Sequence, residues 1–166
     1  DWDSPQSVVM FGQAGIERDD PDFFAAFVLN HILGGSGFAA RLMDAVREKR
    51  GLTYGISTWL APMDLAATWQ GSFASANEKV AEAVEVVRAT WAEVAVNGVT
   101  EAELEAAKTY LTGSYPLRFD GNGPIANILV GMQAERLPAS YVNERNAHIE
   151  AVTLHDVRRV AKRLMA

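Results

Sequence analysis

The sequence predicts an α+β domain, a two-layer sandwich in which a mainly antiparallel sheet carries helices packed on one face. Three features point there. Segments with the two-residue period of strands cluster in the first half, and segments with helical spacing fill the second. No β-α-β-α alternation of the kind that builds a parallel, doubly wound sheet occurs. At 166 residues, 49% hydrophobic and 22% charged, the chain fits one domain with a single core.

Residues 6–16 hold Val8-Val9-Met10-Phe11, an apolar run that reads as a buried strand. Asp20-Pro21 follows, an acid at the N-cap and a proline at the first helical position. The helix this opens carries Phe24, Phe27, Val28, His31 and Ile32 on one stripe, widened by Phe23, Leu29 and Leu33 until it must be enclosed. Gly34-Gly35-Ser36-Gly37 ends it. Residues 38–49 have Leu42 and Val46 at helical spacing, with Arg47, Lys49 and Arg50 where the helix dipole favours cations and Gly51 as the stop.

Leu52, Tyr54, Ile56, Thr58 and Leu60 alternate with polar or small residues, and so do Leu65, Ala67, Trp69, Gly71 and Phe73. These read as an antiparallel hairpin turning through Pro62-Met63-Asp64. Ser75 with Glu78 has the pattern of a capping box before Val80, Val84, Val87, Trp91 and Val94, the apolar face of a long helix. Thr100 with Glu103 is a second box, opening a helix through Leu104, Ala107 and Leu111 to residue 115, before Pro116. Gly121-Asn122-Gly123-Pro124 breaks the chain ahead of helices over 124–136, 140–151 and 153–165.

Fifteen Lys and Arg against 21 Asp and Glu leave a net charge of −6, the wrong sign for nucleic acid. The absence of cysteine excludes disulfides, thiolate metal sites and thiol nucleophiles. No apolar run reaches the roughly 18–20 residues that span a bilayer, and the opening Asp1-Trp2-Asp3-Ser4-Pro5 is acidic, unlike a leader. His31, His148 and His155 belong to neither H-E-x-x-H nor H-x-x-E-H, so this chain alone predicts no zinc site. His31 reads as a hydrogen-bonded core histidine and the other two as surface residues. No G-x-S-x-G elbow occurs, and the glycine loop lacks the lysine of a phosphate cradle.

The informative stretch is 33–56, where the glycine loop leads into Arg47-Glu48-Lys49-Arg50-Gly51-Leu52-Thr53-Tyr54. It resembles the C-terminal domain of the insulinase/pitrilysin (M16) zinc metallopeptidase superfamily, in its mitochondrial processing peptidase-like branch. The likeness extends from Gln6-Ser7-Val8-Val9 to a closing Ile149-Glu150-Ala151-Val152-Thr153-Leu154-His155-Asp156-Val157. The resemblance implies that residues 1–166 are one zinc-free C-terminal domain truncated from a longer chain, inactive by itself.

It also implies a peptide chamber between two halves, with zinc held through H-x-x-E-H by a partner domain or subunit and none bound by this chain. Arg47 and Tyr54 match in type and spacing the arginine and tyrosine that bind the substrate carbonyl and its oxyanion there, which makes them the expected catalytic and substrate-binding residues. The implied partners are a zinc-bearing M16 domain or subunit, in a homo- or heterodimer, and a peptide substrate; the periplasm is favoured over the cytoplasm. The alternative is a non-catalytic structural subunit like the core proteins of respiratory complexes. Read without the resemblance, Arg47 is a cation at its helix end and Tyr54 a half-buried strand aromatic aligned with Leu52 and Ile56. Lys49 and Arg50 are close enough in sequence to serve the same carbonyl.

Overall fold

A computed structural model describes residues 3–35, 37 and 39–166. Its three strands, β1 (Gln6–Ala14), β2 (Ile56–Met63) and β3 (Ala66–Ala76), form an antiparallel sheet in the order β1-β3-β2. Phe73 at the centre pairs with Val9 on one side and Ile56 on the other. The helices are α1 (Phe23–Gly34), a π-helical segment (Met43–Glu48), α2 (Val80–Asn97), α3 (Glu101–Gly113), α4 (Asn122–Ala134), α5 (Tyr141–Glu150) and α6 (Leu154–Met165). Trp69 and Phe73 on one sheet face join the core with residues of α1, α2, α3 and α6, so the α+β expectation holds. No helix among the described residues is long and apolar enough to cross a membrane.

A buried amide fixes the two layers to each other. Asn30 Oδ1 on α1 accepts hydrogen bonds from Thr58 Oγ1 of β2 and Trp69 Nε1 of β3, both at 2.8 Å. The helix approaches β2 so closely at its end that a Cβ on Gly34 would stand 2.5 Å from Thr58 Oγ1. Charge ties the periphery: Asp22 accepts from Arg159 at 2.6 Å and Arg163 at 2.8 Å, holding α6 to the start of α1. Arg41 grips Glu103 with two donors, at 2.6 and 2.8 Å, and Glu93 with a third at 2.5 Å, docking the chain ahead of the π-helical segment onto α3 and α2.

The elements depart from the sequence expectations in specific ways. β1 is an edge strand, not a buried one: Val9 and Phe11 face the core, while Val8 and Met10 are 76% and 69% exposed on the uncovered side. Helix α1 starts two residues after Pro21, because Asp20 forms a turn that accepts the Phe23 amide, and the Asp22 side chain is committed to the two arginines rather than to a cap. The hairpin turns at Asp64-Leu65, leaving Pro62 within β2 on the free edge, where a missing amide costs no ladder bond. Ser75 is no cap. It is buried in β3, and α2 begins only after a 3₁₀ turn at Asn77–Lys79.

The Thr100–Glu103 box forms as expected, and Thr153 with Asp156 makes another at α6. α3 ends at Gly113, and α4 starts at Asn122, ahead of Pro124. Of the expectations made on the sequence, those falling on Asp1, Trp2, Ser36 and Phe38 lie outside the described residues.

Two outcomes are expected. Asn30→Leu leaves two buried donors without an acceptor and should lower stability by about 3 kcal/mol in urea denaturation. The Arg41 guanidinium, despite opposing burial, holds the Glu103 carboxyl down from 4.5 to about 2. A carboxylate depressed in the folded state stabilises fully above its unfolded pKa and loses that contribution as pH falls through the folded one. Stability should therefore decline from about pH 4.5 toward pH 2, and Glu103→Gln should flatten part of that decline.

Candidate functional site

The segment joining Arg47 to Tyr54 is built by a change of helical winding followed by a reversal. In the π-helical turn the Lys49 amide reaches back five residues to the Asp44 carbonyl at 2.9 Å. Gly51, at φ +58°, sits in the left-handed region that ends helices at low cost only for glycine, and its amide donates to the Arg47 carbonyl at 2.8 Å. The next amide, of Leu52, folds back to the Val46 carbonyl at 3.0 Å.

The chain then meets the end of β3 and is clamped there. Ser75 Oγ donates to the Leu52 carbonyl at 2.5 Å. Thr53 Oγ1 lies 2.6 Å from the Ala74 carbonyl and 2.9 Å from that of Gly55, and accepts the Gly55 amide at 3.2 Å. Both hydroxyls are buried, so these bonds are made in a low dielectric and hold the backbone on either side of residue 54.

Tyr54 is thereby pushed outward. It precedes β2 and is 89% exposed, so it is not the half-buried strand aromatic that alternation alone suggests. The Arg47 guanidinium carbon lies 5.2 Å from the centre of its ring, within cation–π range, and Arg47 Nε is 3.6 Å from Glu48 Oε1. The Arg47 side chain is 26% exposed. The flanking cations are engaged locally: Lys49 Nζ is 2.5 Å from Asp44, and Arg50 Nη1 donates to the Ala45 carbonyl at 2.8 Å. A guanidinium and a phenol side by side on one rim can present several N–H donors and one O–H to a single acceptor.

The histidines are dispersed on α1, α5 and α6. His31 is half-buried rather than in the core; it stacks on Tyr110 with ring centres 4.9 Å apart, and burial lowers its pKa. His148 stacks on Phe24 at 4.7 Å, and the His155 side chain is 84% exposed. Among the described residues no group of three or more His, Cys, Asp or Glu is placed to hold a metal ion, so this donor set does not fit zinc. The glycine loop does not read as a cradle either, since the Gly35 amide is spent on the Asn30 and His31 carbonyls.

The Thr53 and Ser75 clamp was missed in the sequence, although Ser75 continues the inward alternation Trp69, Gly71, Phe73 and was readable from it. The clamp makes a prediction. Tyr54→Ala should change unfolding free energy by under about 0.5 kcal/mol, as for an exposed side chain. Thr53→Val, which strands a buried carbonyl, should cost about 1–2 kcal/mol in the same denaturant titration.

Residues 2–111 match the family model for the peptidase M16 inactive domain. The chain is 32% identical over 160 residues to an uncharacterized zinc protease of Streptomyces coelicolor, covering 95% of this chain and 34% of that protein. It is 29% identical over 164 residues to an uncharacterized zinc protease of Mycobacterium tuberculosis, covering 99% and 37%. The chain thus spans about a third of the length of these curated relatives. The crystal structure of a peptidase M16 inactive domain from Pseudomonas fluorescens superposes with a TM-score of 0.86 at 35% identity, over 99% of this chain and 39% of that one. A chain of complex III2 from Candida albicans shares the fold at 16% identity, with a TM-score of 0.80 over 98% of this chain and 41% of that one. These relatives do not single out the mitochondrial processing branch. With the model matched across its glycine loop, its Arg47–Tyr54 segment and α2, the chain belongs to the peptidase M16 inactive-domain family.

Proposed function

We propose that this domain forms the zinc-free wall of a peptide chamber in a longer zinc protease, where Arg47 and Tyr54 bind the backbone carbonyl of an extended substrate. The observation that carries the reading is the pairing itself: a guanidinium 5.2 Å from a phenol ring that the fold leaves 89% exposed. An exposed aromatic contributes little to packing, yet its backbone is anchored by two buried hydroxyls. That is the economy of a positioned group rather than of a core residue.

The chemistry follows from the donors. When a peptide carbonyl is attacked, negative charge collects on its oxygen, and donors already aimed at that place stabilise the charge without reorganising. Arg47 supplies a positive charge in a planar fork, and Tyr54 one O–H, on a residue whose flanking backbone the clamp holds. The metal and the water it activates belong to another domain or subunit, in keeping with relatives named zinc proteases and a family described as the inactive domain. This chain alone is expected to cleave nothing.

The test is reconstitution of the parent peptidase with its zinc-bearing part. Arg47→Ala and Tyr54→Phe should each lower turnover by about 10²-fold, the usual size of a lost oxyanion donor, with circular dichroism unchanged. Full turnover in both variants would remove the catalytic role and leave a structural one.

A further inference from the structure

At the far end of β2 from Tyr54, the helices leave a cavity of about 450 Å³ between α1, α4, α5 and the strand. Phe23, Phe24, Phe27 and Trp59 supply ring surface to its walls. A second cavity of about 480 Å³ shares Phe27, Asn30, Tyr115, Arg118 and Arg145 with it, so Arg145 stands in the wall common to both.

Arg145 is unusual for a buried cation. It is only 6% exposed, and its guanidinium carbon lies 4.2 Å over the Tyr115 ring and 5.4 Å over Phe27. Nη1 donates at 3.1 Å to the Leu111 carbonyl and to Asn146 Oδ1, both neutral acceptors. Nε and Nη2 make no hydrogen bond among the described residues, and neither is fully enclosed, since no fully buried side-chain nitrogen there lacks a partner.

The charge around it is uncompensated. Arg18, Arg118 and Arg145 all line the first cavity against one carboxylate, Glu135, and that carboxylate is taken by Arg18 at 2.9 Å. Arg18 is further occupied over the Phe23 ring at 4.2 Å. Among the described residues, no ion pair reaches Arg145 or Arg118, in a chain whose net charge is −6. Burial depresses the Arg145 pKa; Tyr141 and Tyr115 oppose that shift, and the charges of Arg118 and Arg18 add to it. A desolvated cation without a counter-ion is costly, and an anion seated beside it offsets that cost.

We propose that this cavity binds an organic anion: an oxyanion group, carboxylate or phosphate, docks on Arg145 and Arg118, and its apolar body lies against the rings of Phe24, Phe27 and Trp59. The planar guanidinium forks suit an oxyanion accepting two bonds at once, and the hydroxyls of Tyr115 and Tyr141, which make no hydrogen bond among the described residues, can add a donor each. The volume lies in the range of small-molecule sites. The site uses none of the groups assigned to the substrate carbonyl and stands whether or not that assignment does.

Titrating the intact chain with phenylacetate, phenylacetamide and phenyl phosphate, read by backbone amide NMR and tryptophan fluorescence, tests it. At least one of the two anions should shift resonances of α1 and α5 with a millimolar or tighter Kd, and the neutral amide should bind about tenfold more weakly. Which anion binds more tightly identifies the oxyanion. Arg118→Gln, at an exposed position that leaves the fold intact, should weaken binding of that anion about tenfold. Amide and anions binding alike, no shift from either anion at about 20 mM, or an Arg118 variant that binds as well as the original would each overturn the proposal.

Discussion

One buried acceptor holds the architecture together. The Asn30 side-chain oxygen takes a donor from each strand of the hairpin and fixes α1 to β2 and β3 at once. Satisfied on both sides in the core, it gives the sheet a defined height and rotation against the helix; left unmatched, it would be among the more destabilising groups in the molecule. Gly34 belongs to the same constraint, because only a residue without Cβ lets the helix end so close to Thr58. The position of β3 set in this way determines where Ala74 and Ser75 present their acceptor and donor, and those two decide where the chain before β2 can lie.

The proposed site inherits its rigidity from that arrangement. Arg47 comes from the last turn of a π-helical segment docked by Arg41 onto Glu103 and Glu93, and Tyr54 from a strand approach pinned to β3. The backbone at two positions seven residues apart is thus anchored to two different parts of the core, with a left-handed glycine between them to make the reversal. Under the proposed function, a backbone anchored in this manner lowers the reordering needed when a substrate arrives, which is what a transition-state contact requires. Elsewhere among the described residues no group of three or more His, Asp or Glu is placed as a competing cluster of metal ligands.

Much of this was legible in the amino-acid order, and the remainder was not for identifiable reasons. The helix and strand succession, the glycine stop at Gly51 and the box at Thr100 follow from local chemistry that operates within a few residues. The exposure of β1 was hidden because an apolar run looks the same whether one face or two are covered. Ser75 was misread because a hydroxyl three residues before a glutamate satisfies a capping pattern equally well when it is buried in a strand. The π-helical winding left no mark in the spacing. Arg18, Arg118 and Arg145 come from three distant segments and meet only once α1, α5 and the turn after α3 have packed, so no motif could have announced them.

A photo-crosslink is the most direct measurement of where the peptide lies. In the parent protease reassembled with a zinc-site variant that binds but does not cut, an azidophenylalanine replacing Tyr54 should attach on irradiation to the substrate residues flanking the scissile bond. Attachment to distant substrate residues, or to none while the substrate remains bound, would contradict the placing of Arg47 and Tyr54 at the reacting carbonyl.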